Sequence, residues 1–359
     1  MAVLRIAAGT RVAAAERQPG AATLDRLTEP DADFIDVGLV NNMPDAAIQS
    51  TERQFLKLLN AAAGDKQIRL RLFSLPDVAR SSHAHEQMNA TYYGLDQLLN
   101  SRLDALIVTG TEPRASSLSD EPYWGSIVRL LEWAGENTIS TIWSCLAAHA
   151  AVLYLDGIPR QMLGDKLTGV FECTSAPFHP LTAGQAREIR VAHSRWNELR
   201  EDALVQCDYK ILTRSAEAGV DAFVREGKSL FLFFQGHPEY DRGALLREYR
   251  RDVGRFLRGE RNSYPSMPRG YMDPVAADSL ARFKERAALK RRESLLEAFP
   301  FSFVESRLLP LDWRSAVRLY ANWLSYLSTQ KERILASRSD RSRSRVRTAR
   351  PVQSVQGIG

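Results

Sequence analysis

Cysteine is scarce in this chain. Its 359 residues include three, Cys145, Cys173 and Cys207. Three thiols cannot all pair with one another. They form no C-x-x-C and have no neighbouring histidine pair, so neither a disulfide framework nor a cysteine metal site is expected. Free thiols suit a reducing compartment. No apolar run approaches the roughly 20 residues that a membrane helix requires. The first residues, "MAVLRIAAGTRVAAAERQPG", lack the compact apolar core and cleavage pattern of a signal peptide, and the expected location is the cytoplasm. Internal repeats are also lacking. The net charge of +5 is local. From Thr329 onward there are eight Lys/Arg and two acids, or +6, which leaves the remainder near −1. This Ser/Arg-rich tail has no apolar period and no interleaved aromatics. It is expected to be disordered and gives little support for nucleic acid or a membrane as partner.

What is present is ordinary globular composition, 44% hydrophobic and 25% charged. Short β-forming runs, at 35–40, 67–75, 104–111 and 138–145, alternate with helical patterns such as "AAIQSTERQFLKLLNAA" and "DEPYWGSIVRLLEWAGEN". That alternation predicts an α/β fold with an open, mostly parallel sheet and helices on both faces. "DAFVREGKSLFLFF" reads as a hairpin around Glu226-Gly227. The expected organisation is a poorly ordered segment at 1–30, a main domain at 31–328 and a basic tail at 329–359. A charged, exposed amphipathic helix or insertion is expected at about 276–299.

Chemistry concentrates at two strand ends. In "TIWSCLAAHAA", Cys145 joins a strand to a helix, where side chains face the crevice at the carboxyl ends of parallel strands. The free amides and partial positive charge of a helix start favour a thiolate. The Leu146 amide is a candidate oxyanion donor, and the loop in "VTGTEP", at Thr111, is the best source of a second. A lone cysteine is more often a small buried hydrophobe, and Cys173 and Cys207 are read that way. In "FFQGHPEYD", His237 also follows a strand, with Glu239 two residues on. A carboxylate that takes one ring nitrogen leaves the other for Cys145, giving nucleophile, base and orienter. His149, one helical turn after Cys145, reads as a packed histidine. His83 and His85 read as loop residues, and His179 as a turn residue.

"TIWSCLAAHAAVLYLDGIPRQMLGDKLTGVFE", "VAHSRWNEL", "GHPEYDRGALLREYRRDV" and "ANWLSYL" together resemble the homoserine O-acyltransferases of methionine biosynthesis. The branch resembled has the flavodoxin-like, class I glutamine amidotransferase-like fold. The resemblance runs from about residue 35 to about 328 and implies ping-pong acyl transfer. Cys145 would carry the acyl group as a thioester, His237 would act as base and Glu239 would orient it. Lys166, Ser194 and Arg251 would bind substrate, Arg251 through its fit to a carboxylate. Acyl-CoA would be a co-substrate, with no cofactor or metal, and the protein would be a homodimer.

Two positions depart from the family pattern. The loop "NNMPDAAIQSTE" lacks the lysine that the family carries shortly after Met-Pro. The acyl-selecting position aligns with Arg114, where the family has a small residue for succinyl or a glutamate for acetyl. A cation at 114 would suit the free carboxylate of a succinyl group, so succinyl-CoA is favoured over acetyl-CoA, with L-homoserine as acceptor. Two other readings stay open. One is a glutaminase-type hydrolase, against which stand Trp143 and Ala147 where such enzymes carry glycines. The other is a non-catalytic regulatory relative, which the missing loop lysine and the basic tail would suit.

Overall fold

A computed structural model describes residues 2–6 and 33–348, with side chains up to residue 337. The described residues form a ten-stranded sheet. Its first six strands in spatial order are β1 (Val3–Ile6), β3 (Gln67–Phe73), β2 (Phe34–Val40), β4 (Ala105–Val108), β5 (Ser140–Ser144) and β10 (Leu230–Phe234), all mutually parallel. The sheet then continues antiparallel through β9 (Gly219–Arg225), β8 (Lys210–Ser215), β6 (Gln161–Ser175) and β7 (Glu188–Glu198). The open, mostly parallel α/β architecture is thus as expected, and the hairpin around Glu226-Gly227 joins β9 to β10.

Alternation along the central strands explains the two covered faces. Ala105 and Ile107 of β4, with Leu230, Leu232 and Phe234 of β10, face α1 (Ile48–Ala62) and α10 (Trp313–Thr348). Leu106 and Val108, with Phe231 and Phe233, face α4 (Trp124–Asn137) and α5 (Leu146–Asp156). The Trp323 indole donates to Ser140 Oγ at 2.9 Å, which ties α10 to β5. A third apolar cluster joins α7 (Ala244–Leu257), α8 (Pro274–Leu289) and α9 (Phe301–Ser306).

Several expectations change. Within the expected poorly ordered 1–30, Val3–Ile6 forms an edge strand on β3 whose Val3 and Ile6 are buried. Residues 7–30 lie outside the described set. Helix α10 runs twenty residues into the stretch expected to be disordered, to Thr348. Lys331 supplies part of the reason: its ammonium is buried and donates to Phe34 O at 2.6 Å and Asp104 Oδ2 at 2.7 Å. Residues 349–359 of the expected tail lie outside the described residues. The charged stretch at 276–299 is amphipathic but not wholly exposed, since Ala276, Leu280, Phe283 and Ala287 are buried in the third cluster. His83 and His85 lie on a short helix, α2 (Ser82–Asn89), rather than in a loop.

Candidate active site

Cys145 is the hinge between β5 and α5. Its φ of 53° and ψ of −115° place a non-glycine residue in a sparsely populated region, a strain that packed surroundings must hold. The Cys145 amide donates to Phe234 O at 2.7 Å, so the β5–β10 pairing continues past the end of both strands. That pairing carries the chain of β10 directly into Gly236 and His237. A Cβ on Gly236 would lie 2.3 Å from Asp221 Oδ1 and 3.1 Å from Ala192 O, so only glycine lets the turn pass. The His237 amide then anchors on Ala192 O of β7 at 2.8 Å.

The three residues singled out in sequence meet. His237 Nδ1 and Glu239 Oε1 are 2.9 Å apart, with both side chains buried. Cys145 lines the same cleft as His237 and is near enough to act on its ring, and the Tyr240 ring stacks on that imidazole with centroids 4.1 Å apart. Burial disfavours a charged His237. The Glu239 carboxylate, and after it the neighbouring Cys145, outweigh it and raise the imidazole well above its usual range. An imidazole made more basic by a buried carboxylate, beside a thiol whose proton it can take, is chemically a nucleophile–base pair.

These groups open into a cleft of about 690 Å³. Thr111 and Leu146 line it beside Cys145. Leu146 is the first residue of α5, so its amide has no partner one turn back in the helix. A Cβ on Gly110 would lie 2.7 Å from Leu146 Cβ and 2.9 Å from Leu146 N, which shows how closely the loop after β4 rides on the start of α5.

The opposite wall is charged. A register shift between Met162 and Leu167 of β6 falls at Lys166, whose ammonium contacts Asp252 Oδ2 at 2.8 Å and Glu248 Oε2 at 3.5 Å. Ser194 on β7 and the Tyr240 hydroxyl both donate to Glu248. Arg251 holds Asp252 at 2.9–3.0 Å. Burial pushes the Glu248 and Asp252 carboxyls up, but Lys166 and Arg251 prevail and hold both below their usual values. Lys166, Ser194 and Arg251 therefore gather at one place, as the resemblance implies. Glu248 and Asp252, which the sequence reading passed over, hold them together. Their i,i+4 spacing on α7, on the face beside Arg251, was the available signal.

Arg114 departs from expectation. Its side chain is exposed and is not part of the cleft wall, and its amide is fixed by Glu121 Oε1 at 2.6 Å. Glu112 faces the cleft instead and pairs with Arg255 of α7 at 2.6 and 2.8 Å. The loop without the family lysine also reaches the cleft, through Met43 and Pro44, and Asp45 accepts from the Ser81 amide. His149 is packed as expected. It is buried, bonded to Gln235 at 3.1 Å, and burial pushes its pKa down to about 3. His179 caps a short turn by accepting from the Leu181 amide. Cys173 is buried, which pushes its thiol up, and Cys207 is a half-buried free thiol.

Sequence comparison gives this geometry a family. The family model described as homoserine O-succinyltransferase matches residues 20–334. The chain belongs to the homoserine O-succinyltransferase family. A homoserine O-succinyltransferase of Rhodopseudomonas palustris is 46% identical over 299 residues, 83% of this chain and 90% of that relative. One from Methylorubrum extorquens is 44% identical over 316 residues, 88% of this chain and 94% of the relative. Among solved structures, a glutamine amidotransferase of Methylobacillus flagellatus aligns with 82% of this chain and 95% of its own, at 13% identity and a TM-score of 0.46.

Proposed function

We propose that this member of the homoserine O-succinyltransferase family moves a succinyl group from succinyl-CoA to the hydroxyl of L-homoserine, a step of methionine biosynthesis, through a thioester on Cys145. The observation that carries this reading is the juxtaposition of two sets in one cleft. One is the Cys145–His237–Glu239 line, and the other is a zwitterion-sized group of opposite charges around Ser194, Glu248 and Arg251.

In the first half, the Cys145 thiol passes its proton to His237, and the thiolate attacks the thioester carbonyl of the donor. The Leu146 and Thr111 amides stabilise the oxyanion. The carbon–sulfur bond to CoA breaks, and CoA leaves as its thiol with the proton from His237. Having given that proton to CoA, His237 is in the neutral form needed for the second half. There it takes the proton of the homoserine hydroxyl as the alcohol oxygen attacks the acyl-cysteine. Collapse expels the Cys145 thiolate and leaves an O-succinyl ester, and the thiolate recovers its proton from His237. Arg251 and Lys166 suit the acceptor's carboxylate and Glu248 its ammonium. Glu239 keeps the imidazole oriented throughout.

The test is a steady-state assay of homoserine with succinyl-CoA and acetyl-CoA, together with mass spectrometry of Cys145 after each donor alone. A succinyl adduct on Cys145 that disappears on adding homoserine is the expected result. Ammonia release from glutamine with no adduct from either donor would overturn the reading in favour of a hydrolase. Absence of both activities would favour a non-catalytic relative. We further propose a cytoplasmic homodimer, as the family resemblance implies. Sedimentation equilibrium at a monomer mass would overturn that assignment.

A further inference from the structure

A succinyl donor carries a second carboxylate that the reaction leaves untouched, and a site built for it needs a cation on the donor side of the cleft. The cleft wall holds six cationic side chains: Arg160, Lys166, Arg195, Arg251, Arg255 and Arg261. Most are already engaged. Lys166 and Arg251 hold Asp252, and Arg255 holds Glu112. Arg195 donates to the Asn197 and Ala218 carbonyls, and Arg261 to Ser263 O while lying over Trp196.

Arg160 differs. Its Nη2 makes a long 3.3 Å bond to Ser116 O, and its Nη1 is buried without a hydrogen-bond partner among the described residues. A buried guanidinium N–H without an acceptor is costly, and native structures rarely leave one so unless a ligand or water supplies it. Glu121 and Tyr123 are close enough for their charge and dipole to act on Arg160. Glu121 forms no ion pair with it: its Oε1 accepts from the Arg114 and Ala115 amides, and its Oε2, like the Tyr123 hydroxyl, is buried without a hydrogen-bond partner among the described residues.

The position of Arg160 fits the donor. It follows Gly157, the left-handed cap that ends α5, and it lines the same cleft as Cys145. Its charge reaches His149, one turn from Cys145. His149 adds no competing charge. The Leu199 amide donates to Gln235 Oε1, and Gln235 Nε2 donates to the Leu199 and Val220 carbonyls. Gln235 Oε1 therefore accepts from His149 Nε2–H, and His149 is a neutral ring with a bare Nδ1. Ser116, which Arg160 touches, belongs to the loop that continues from Thr111. Arg160 thus stands on the wall of the proposed oxyanion donors, across from Ser194, Glu248 and Arg251.

We propose that Arg160 is the receptor for the terminal carboxylate of the acyl donor, the specificity role that the sequence alone assigned to Arg114. The assignment rests on the succinyl-transfer reading, and it makes donor choice depend on a residue after α5 rather than on the loop after β4. Arg160 binds the end of the acyl chain that does not react.

The test compares succinyl-CoA with butyryl-CoA, in which a methyl replaces the carboxylate at the same chain length. The readout is the rate of Cys145 acylation, followed by mass spectrometry. In Arg160→Gln, acylation by succinyl-CoA is expected to fall roughly 10–100-fold, the range for losing a charge-assisted hydrogen bond. Acylation by butyryl-CoA should change by less than about threefold, the error of the rate comparison against that range. Arg160→Lys keeps a cation and should recover part of the preference, which separates charge recognition from a fold defect. Arg114→Gln should leave the ratio of the two donors unchanged. An equal loss with both donors, or no loss in either Arg160 variant, overturns the assignment, and in that case an ordered water satisfies Nη1. If wild-type Cys145 takes no acyl group from succinyl-CoA, the transfer reading itself fails and takes this assignment with it.

Discussion

The two walls of the cleft are built on different principles. On one side, the parallel strands β4 and β5 are buried to their ends, and what they present is mainly backbone: the Gly110–Thr111 loop, the Leu146 amide and the strained Cys145. On the other, β6, β7 and α7 present side-chain charge, with Lys166, Glu248, Arg251 and Asp252 interlocked within a few ångströms. The backbone wall needs no partner to hold its shape, because the sheet ladder fixes it. The charged wall holds itself by mutual neutralisation, so its members change together. Transition-state chemistry is assigned to the rigid wall and recognition of a zwitterion to the adjustable one.

That division can be broken by experiment. The largest effect should come from the rigid wall. Cys145→Ala removes the nucleophile, and kcat should fall by more than about 10⁴-fold with the fold intact, as judged by circular dichroism. Residual turnover within tenfold of wild type would place the acyl group elsewhere.

Beneath the charged wall, buried Asp221 lies 3.4 Å from His193 Nε2 and accepts from Thr213 Oγ1. Burial raises its pKa from 3.8 to about 6, while burial, helped by the Arg195 charge, keeps His193 neutral. A raised carboxyl means that the folded state holds the proton more tightly than the unfolded chain. The contribution is therefore full below about pH 4 and is lost as the pH rises through about 6. Wild type should lose on the order of 3 kcal/mol against Asp221→Asn over that window. Parallel pH–stability curves from urea titration would show that the Asp221 proton does not matter.

Glu248→Gln should raise the KM for homoserine about 10–100-fold while leaving Cys145 acylation in the absence of homoserine near wild type. Equal damage to both steps would erase the distinction between the walls. The smallest effect belongs far from the cleft. Lys331→Met removes two hydrogen bonds that pin α10, at a cost of about 1.5 kcal/mol, the low end for charge-assisted bonds. Faster amide exchange around residues 325–337 should report it.

The same contrast explains what could be read in advance. Apolar runs such as Ala105–Val108 and Leu230–Phe234 declare buried strands, and their ends declare where Cys145 and His237 lie. The 15-residue β6 is not legible as a strand, because "QMLGDKLTGVFECTS" alternates weakly and is interrupted by a bulge. Lys331 was hidden by composition. One buried ammonium among exposed charges carries no period, yet it lengthens a helix that Ser and Arg alone would not predict. Arg114 and Arg160 look alike in sequence. Burial of one guanidinium nitrogen separates them, and burial is a property of the fold.

The amide of Cys145 is bonded to the carbonyl of Phe234. The thiol's segment and its base's segment are thus adjacent rungs of one ladder, although ninety residues of chain separate them. On the ribosome, where synthesis proceeds at roughly 5–20 residues per second, the thiol emerges seconds before its imidazole exists. On the proposed mechanism, a growing chain therefore lacks its base until that last rung closes.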